Sequence, residues 1–279
     1  MNRPISSLLT AALVLAPACA GDPAAPPLGE LPPAGGATTT TDRTSSAYEN
    51  PAFNLSDEEL EAHLAGDLAF EQVFVSAPAE INPGLGPVFN HTSCVGCHVR
   101  NGRGLPAVGQ GPLASPLLVR VSLPEDMGTP ILPGGAVPVP GIGTQVGDHA
   151  IYGYEPEATV ELAWDELPGE YADGTAYSLR RPRLTVSLPD GAPWPDGVMF
   201  SGRTPPPVFG LGLLEAVPEE DILALADDAD ADGDGISGHP NYVWSLEYET
   251  EMLGRFGVKA NAPTLVQQTA GAYADDMGV

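Results

Sequence analysis

The chain has 279 residues, 37 of them acidic and 11 basic, for a formal net charge of −26. That balance excludes nucleic acid and anionic membrane surfaces as partners by simple repulsion and favours basic proteins or cations. Aromatics are only 6%, while there are 33 Gly and 31 Pro, so turns and irregular connections must surround modest elements.

Residues 1–20 read as a signal peptide. Arg3 supplies the positive charge, and residues 5–16 form an apolar run too short to span a bilayer. Cleavage fits either the small-residue pattern Ala18-Cys19-Ala20 or a cut before Cys19, which would leave that cysteine for lipid attachment. Two of the three cysteines form the pair taken up below, so Cys19 is an odd thiol that removal or lipidation would each explain. The expectation is export, to a periplasm or to a lipid anchor at the bacterial envelope, with no transmembrane helix. Residues 21–50, which include Thr38-Thr39-Thr40-Thr41, have no apolar periodicity and read as a flexible linker. Residues 51–279 are expected to form the folded domain.

Ser56-Asp57-Glu58-Glu59 has the form of a capping box, and Leu60, Leu64 and Leu68 follow at four-residue spacing. This predicts a helix of about 15 to 20 residues, ending before Pro78. A Gly- and Pro-punctuated stretch then leads to Cys94-Val95-Gly96-Cys97-His98, with Ser93 placed to cap a short helix. In a C-x-x-C-H run two thiols can each form a thioether to one haem vinyl group, and the adjacent imidazole is held against the iron. The competing readings are a zinc half-site, a thiol redox pair and a disulfide. Zinc normally takes four protein ligands, and the chain has no second cysteine pair. A redox pair normally follows a strand, whereas this one follows a loop. Arg100 and Arg103, two of the few basic residues, come directly after the motif and suit the haem propionates. Candidates for a sixth iron ligand are His63, His91, His149, His239, Met127, Met199, Met252 and Met277, and the sequence does not choose among them.

From about residue 105 to 203 the period changes to two. Val119, Val121 and Leu123 alternate with Arg120 and Ser122; Val160, Leu162 and Trp164 do the same, as do Leu184, Val186 and Leu188. Short half-buried strands are predicted, separated by turns such as Leu132-Pro133-Gly134-Gly135. A helix is expected at Pro218, with acids near its positive end. Residues 230–241 then have the front half of a calcium loop. Asp230, Asp232 and Asp234 alternate, Gly235 takes the sixth position and Ile236 would offer a carbonyl at the seventh, but Asn241 replaces the usual Glu at the twelfth. The alternative is an acidic loop of Asx turns. A last helix is expected from near Pro263 through Leu265, Gln268 and Ala272.

Several stretches together resemble a known family. They are Gly84-Leu85-Gly86-Pro87-Val88-Phe89-Asn90, the Cys94 to His98 motif with Gly102-Arg103-Gly104, and Pro207-Val208-Phe209-Gly210-Leu211-Gly212-Leu213-Leu214-Glu215. To these add Asp232-Gly233-Asp234-Gly235-Ile236-Ser237-Gly238, Gly254-Arg255-Phe256-Gly257, Lys259-Ala260-Asn261 and Asp276-Met277-Gly278. The family is that of the bacterial di-haem oxidoreductases and peroxidase-like proteins, also called thiol oxidoreductases. The resemblance implies an α+β fold, in which a cytochrome c-like helical haem core is enlarged by an inserted Pro/Gly-rich region of short antiparallel strands. It also implies a distant relation to di-haem peroxidases, in which one haem receives electrons and the other meets peroxide. Family members carry a second C-x-x-C-H further toward the C-terminus, so this chain, with one, resembles the N-terminal part and is expected to be truncated.

The function expected is that of a c-type haem oxidoreductase, in electron transfer or peroxidase-like chemistry, with calcium as a further cofactor. Its partners would be a redox protein or a small oxidant such as peroxide, with Glu215 and His149 as candidates for moving protons. The alternatives are a plain electron-carrying cytochrome c, or a calcium-stabilised binding module with a Cys94–Cys97 disulfide.

Overall fold

The computed structural model describes residues 33, 35–108 and 116–279. The expected signal peptide and Cys19 lie outside the described residues. Two compact units divide at residue 39; in the first, the described residues hold one 3-10 turn, Gly36–Thr38. Everything below concerns the second unit, residues 40–279.

Helix α1 (Asp57–Glu71) begins as its first residues dictate: Ser56 Oγ accepts from Glu59 N, and the Glu59 carboxylate accepts from Ser56 N. Its leucine row, however, does not turn inward. Leu60, Leu64 and Leu68 are 36%, 53% and 68% exposed, while His63, Asp67 and Phe70 occupy the half-buried side. Strand β1 (Val88–Phe89) and helix α2 (Cys94–Cys97) follow, with α1 packed on α2.

The next stretch builds the apolar core. Strands β2 (Leu118–Ser122), β3 (His149–Ala150), β4 (Thr159–Glu170), β5 (Ala176–Ser187) and β6 (Met199–Arg203) pair antiparallel as β1·β3, β2·β6 and β4·β5. Alternation along β2 drives Val119 and Val121 inward, to join Leu123, Val137, Val139, Val146 and Ala158. Val160, Val186 and Trp194 pack against that cluster from one side, so only the base of the long β4·β5 ribbon is anchored. The turn after Leu132 closes through Gly135 N to Leu132 O at 2.9 Å, with Gly134 at φ +72°, where a side chain would be strained.

Two short helices, α3 (Leu211–Glu215) and α4 (Glu219–Leu223), precede a fourth ribbon of β7 (Tyr242–Ser245) and β8 (Thr250–Leu253). Pro218 sits at the N-cap of α4, one residue outside the helix. Helix α5 (Leu265–Met277) starts at Thr264, whose hydroxyl accepts from Gln267 N, and ends at Gly278 in the left-handed region. The described residues thus form five α-helices and four two-stranded antiparallel sheets, a mixed α+β arrangement. Among them no helix is long and apolar enough to cross a membrane.

The valine-rich cluster should dominate stability. Leu123→Ala is expected to lower the unfolding free energy by about 2–5 kcal/mol, checked by urea denaturation; a change within error would place the core elsewhere.

Candidate functional site

The cysteine motif is held on a short, fully capped helix. Ser93 Oγ accepts from Gly96 N at 3.2 Å, and His98 N donates to Cys94 O at 2.9 Å. Gly96 is required by packing: a Cβ there would overlap the ring of His91. Beyond the helix, Arg100 and Asn101 both take positive φ, which turns the chain sharply toward residues 205–208. Gly104 N donates to Pro205 O at 3.0 Å and Val208 N to Asn101 O at 3.0 Å, so two remote loops are locked together.

That lock sets the chemistry of His98. Its Nδ1 lies 2.8 Å from the carbonyl oxygen of Pro206. A carbonyl only accepts, so Nδ1 carries the proton and Nε2 keeps its lone pair for a metal. Burial lowers the imidazole's proton affinity, and the Pro206 bond acts the other way. The Phe70 ring lies 6.2 Å away, centroid to centroid, and adds an apolar wall.

Cys94 and Cys97 are not joined in a disulfide. Burial first, then the Asp276 carboxyl, raises the pKa of both thiols, that of Cys97 to about 12. Thiol redox centres work by lowering a cysteine pKa. This site shifts both cysteines the other way. A half-buried Cys94, a buried Cys97, a fixed imidazole tautomer and an aromatic wall fit a covalently held haem.

Beside the motif runs a buried polar network. Asn90 Nδ2 donates to Val146 O at 2.7 Å and to Asp148 Oδ1 at 2.8 Å. Gln145 Nε2 reaches Asn90 Oδ1 and Asp276 Oδ1, each at 2.7 Å, and the Asp275 carbonyl at 3.0 Å. His149 Nδ1 donates to Asp148 Oδ1 at 2.9 Å. His91 Nδ1 accepts from Thr92 N and Ser93 N, which places the proton of its neutral form on Nε2. Of the other candidates for a sixth ligand, His63 pairs with Asp67 on α1 and His239 with Asp228. Met277 is buried, Met252 half-buried, and Met127 and Met199 exposed. Glu215 Oε1 accepts from Leu265 N, bracing the start of α5.

The arginines divide. Arg103 is exposed, while Arg100 Nη1 donates to Ser45 Oγ at 2.9 Å and Ser46 Oγ at 2.7 Å. Residues 42–50, assigned to the linker from composition, carry ordered contacts to the motif loop. Asn101 Nδ2 donates to Tyr48 O, and the Tyr48 ring stacks on Phe209 at 4.0 Å. Composition could not have found these partners, because a low-complexity run carries no periodicity.

In the acidic loop, ligand atoms of Asp227, Asp230 and Asp232 lie within 4.8 Å of one another. Each of these carboxylates also accepts a backbone N–H, Asp227 from Ala231, Asp230 from Gly235 and Asp232 from Asp234, as Asp234 does from Ile236, and Asn241 Nδ2 donates to the carbonyls of Lys259 and Ala260. The sequence pattern missed Asp227, which the antiparallel bridge to Gly238 brings back to the loop.

Residues 30–279 match the model of the family described as "Di-haem oxidoreductase, putative peroxidase". The chain belongs to this family. No curated protein and no solved structure matches it. Met277 O accepts from Gly86 N, and Arg255 Nη1 donates to the carbonyls of Leu214, Glu215 and Val217 at the end of α3. The first of these contacts braces the loop before the cysteine motif, and the second braces the end of α3.

Burial holds the Asp276 carboxyl above its ordinary value of 3.8, against the opposing pull of Gln145 and Arg120. The folded state thus keeps a proton that the unfolded chain loses first. This contribution to stability is complete below pH 3.8 and fades as pH rises through the higher folded value. Asp276→Asn should remove that dependence, so melting temperatures from pH 4 to 8 should fall less for the variant; parallel curves would count against a buried neutral acid.

Proposed function

We propose that Cys94 and Cys97 would hold a haem through two thioethers, with His98 Nε2 as an iron ligand, and that the chain acts as a c-type haem oxidoreductase. The observation that carries this reading is the 2.8 Å contact between His98 Nδ1 and Pro206 O, which leaves the other nitrogen as a ligand. When bound, the haem would supply one-electron chemistry and reaction with a small oxidant such as peroxide. The fold around it is read as a cytochrome c-like core of α1, α2 and α5, with residues 105–203 as the β-rich insertion. Arg100, aided by the Ser45 and Ser46 hydroxyls, binds a propionate, and exposed Arg103 supplies a second cation. Export, to the periplasm or to a lipid anchor at Cys19, belongs to the same proposal, since haem attachment to cysteines takes place outside the cytoplasm.

Expression with a haem-attachment system, followed by intact mass and a haem difference spectrum, tests the proposal. One haem per chain is expected, with complete loss of the covalent adduct in the Cys94→Ala/Cys97→Ala variant. A haem-free, colourless chain would refute it. On the ferric protein, cyanide or peroxide binding supports the peroxidase-like activity, whereas inertness assigns the chain to electron transfer alone.

Calcium at Asp227, Asp230 and Asp232 completes the reading, supported by the convergence of their oxygens. At such a site the cation would offset the mutual repulsion of three carboxylates. Added calcium should raise the melting temperature by several degrees, and a chelator should reverse the rise. Asp230→Ala should abolish the response, and an equal shift in that variant would place the effect elsewhere.

A further inference from the structure

The haem reading leaves the outer side of α1 without a role. None of the fifteen residues of this helix is buried. It carries six carboxylates, Asp57, Glu58, Glu59, Glu61, Asp67 and Glu71, and no lysine or arginine. Leu60, Leu64 and Leu68 recur every fourth residue and so form one row, 36%, 53% and 68% exposed. At 100° per residue, Asp57 and Glu61 fall within about 60° of the centre of that row, whereas Asp67 and Glu71 also reach the cavity on the inner side. The helix therefore presents an apolar stripe rimmed by acids. Scattered surface leucines need no explanation, but an aligned row with a charged rim has the anatomy of a small interface.

Its place in the fold adds a second argument. Helix α1 packs on α2, and Phe70, from its inner side, faces the His98 ring. Glu49, Asp67, Phe70, Glu71, Val95 and Asn101 line a shallow cavity between α1 and the motif. A partner seated on the outer stripe would be separated from the haem site by about one helix diameter, roughly 10–12 Å.

We propose that the outer face of α1 docks a lysine-rich electron-transfer protein. This rests on the haem reading, because only a redox centre behind α1 gives such docking a purpose. Charge complementarity selects the partner's chemistry. A chain of net charge −26 attracts a basic protein at long range and opposes a second copy of itself. The leucines then supply the desolvated centre of a transient contact, and the flanking carboxylates set its orientation.

The test is a binding isotherm on the full-length, haem-loaded chain, with a lysine-rich monohaem cytochrome c as the probe, at low and at physiological salt. Wild type is expected to bind at low salt and weaken as salt rises. Asp57→Asn/Glu61→Gln and Leu64→Ser/Leu68→Ser should each raise Kd by about tenfold. A control with the same charge removed from the β4·β5 ribbon, Glu161→Gln/Glu170→Gln, should bind as wild type does. Haem content, read by absorbance, should be unchanged in all three.

Equal weakening by the control would mean net charge alone, and would overturn the proposal. So would no binding by wild type, or loss of haem in the leucine variant with binding intact in the charge variant, which would place the stripe under the haem. The two readings also fail differently. Intact haem without binding removes the docking face only, whereas an unaltered chain that attaches no haem removes the redox role whatever the isotherm shows.

Discussion

The end of α5 is hydrogen-bonded to the loop that precedes the cysteine motif, and the rest of the site depends on that join. Met277 O accepts from Gly86 N and Asp276 O from Asn90 N, at 2.9 and 2.8 Å. The backbones approach so closely that a Cβ on Gly86 would lie 2.2 Å from the Gly278 carbonyl oxygen. Gln145 ties the same helix end to Asn90 from the insertion side. Three segments far apart in the chain thus meet at one point, and the helix carrying Cys94 and Cys97 starts only a few residues beyond it.

This join is polar, and that has consequences for its energetics. Buried apolar side chains gather mainly in the insertion, around Val119, Val121, Val139 and Val146, which form a self-sufficient core. Near the motif the buried groups include Asn90, His91, Ser93, Gln145, Asp148 and His149. A buried polar group costs little only while its hydrogen bonds are made. The cysteine-motif region is consequently specified by directional bonds, some of them from Gln145, Asp148 and His149, and by glycine contacts, and the valine cluster by packing. Such a division lets the insertion stabilise the chain while the polar network fixes the geometry of the site.

Electrostatics follow the same division. Carboxylates cover the surface of α1 and the 227–234 loop, whereas Asp276 and Asp148 lie close to the thiols. Burial and the nearby Asp276 carboxyl both raise the Cys97 pKa, opposite to the shift that activates a thiol redox pair. The C-x-x-C spacing is common to both cases, and the tertiary neighbours set the direction of the shift.

Local periodicity alone determined the Ser56–Glu59 capping box, the Ser93 cap, the alternation along β2, β4 and β5, and the spacing of Cys94, Cys97 and His98. Each depends on residues within a few positions of one another, so the order of side chains suffices. The tertiary structure decided what spacing cannot carry. It turned the leucines of α1 outward, bound Arg100 to Ser45 and Ser46, brought Asp227 into the carboxylate group and tied Asn241 to Lys259 and Ala260. Above all it set the tautomer of His98 through Pro206, 108 residues away, and seated Asp276 against Gln145 across 131. Those contacts arise where distant loops close on one another, and their partners leave no repeat in the chain from which they could be read.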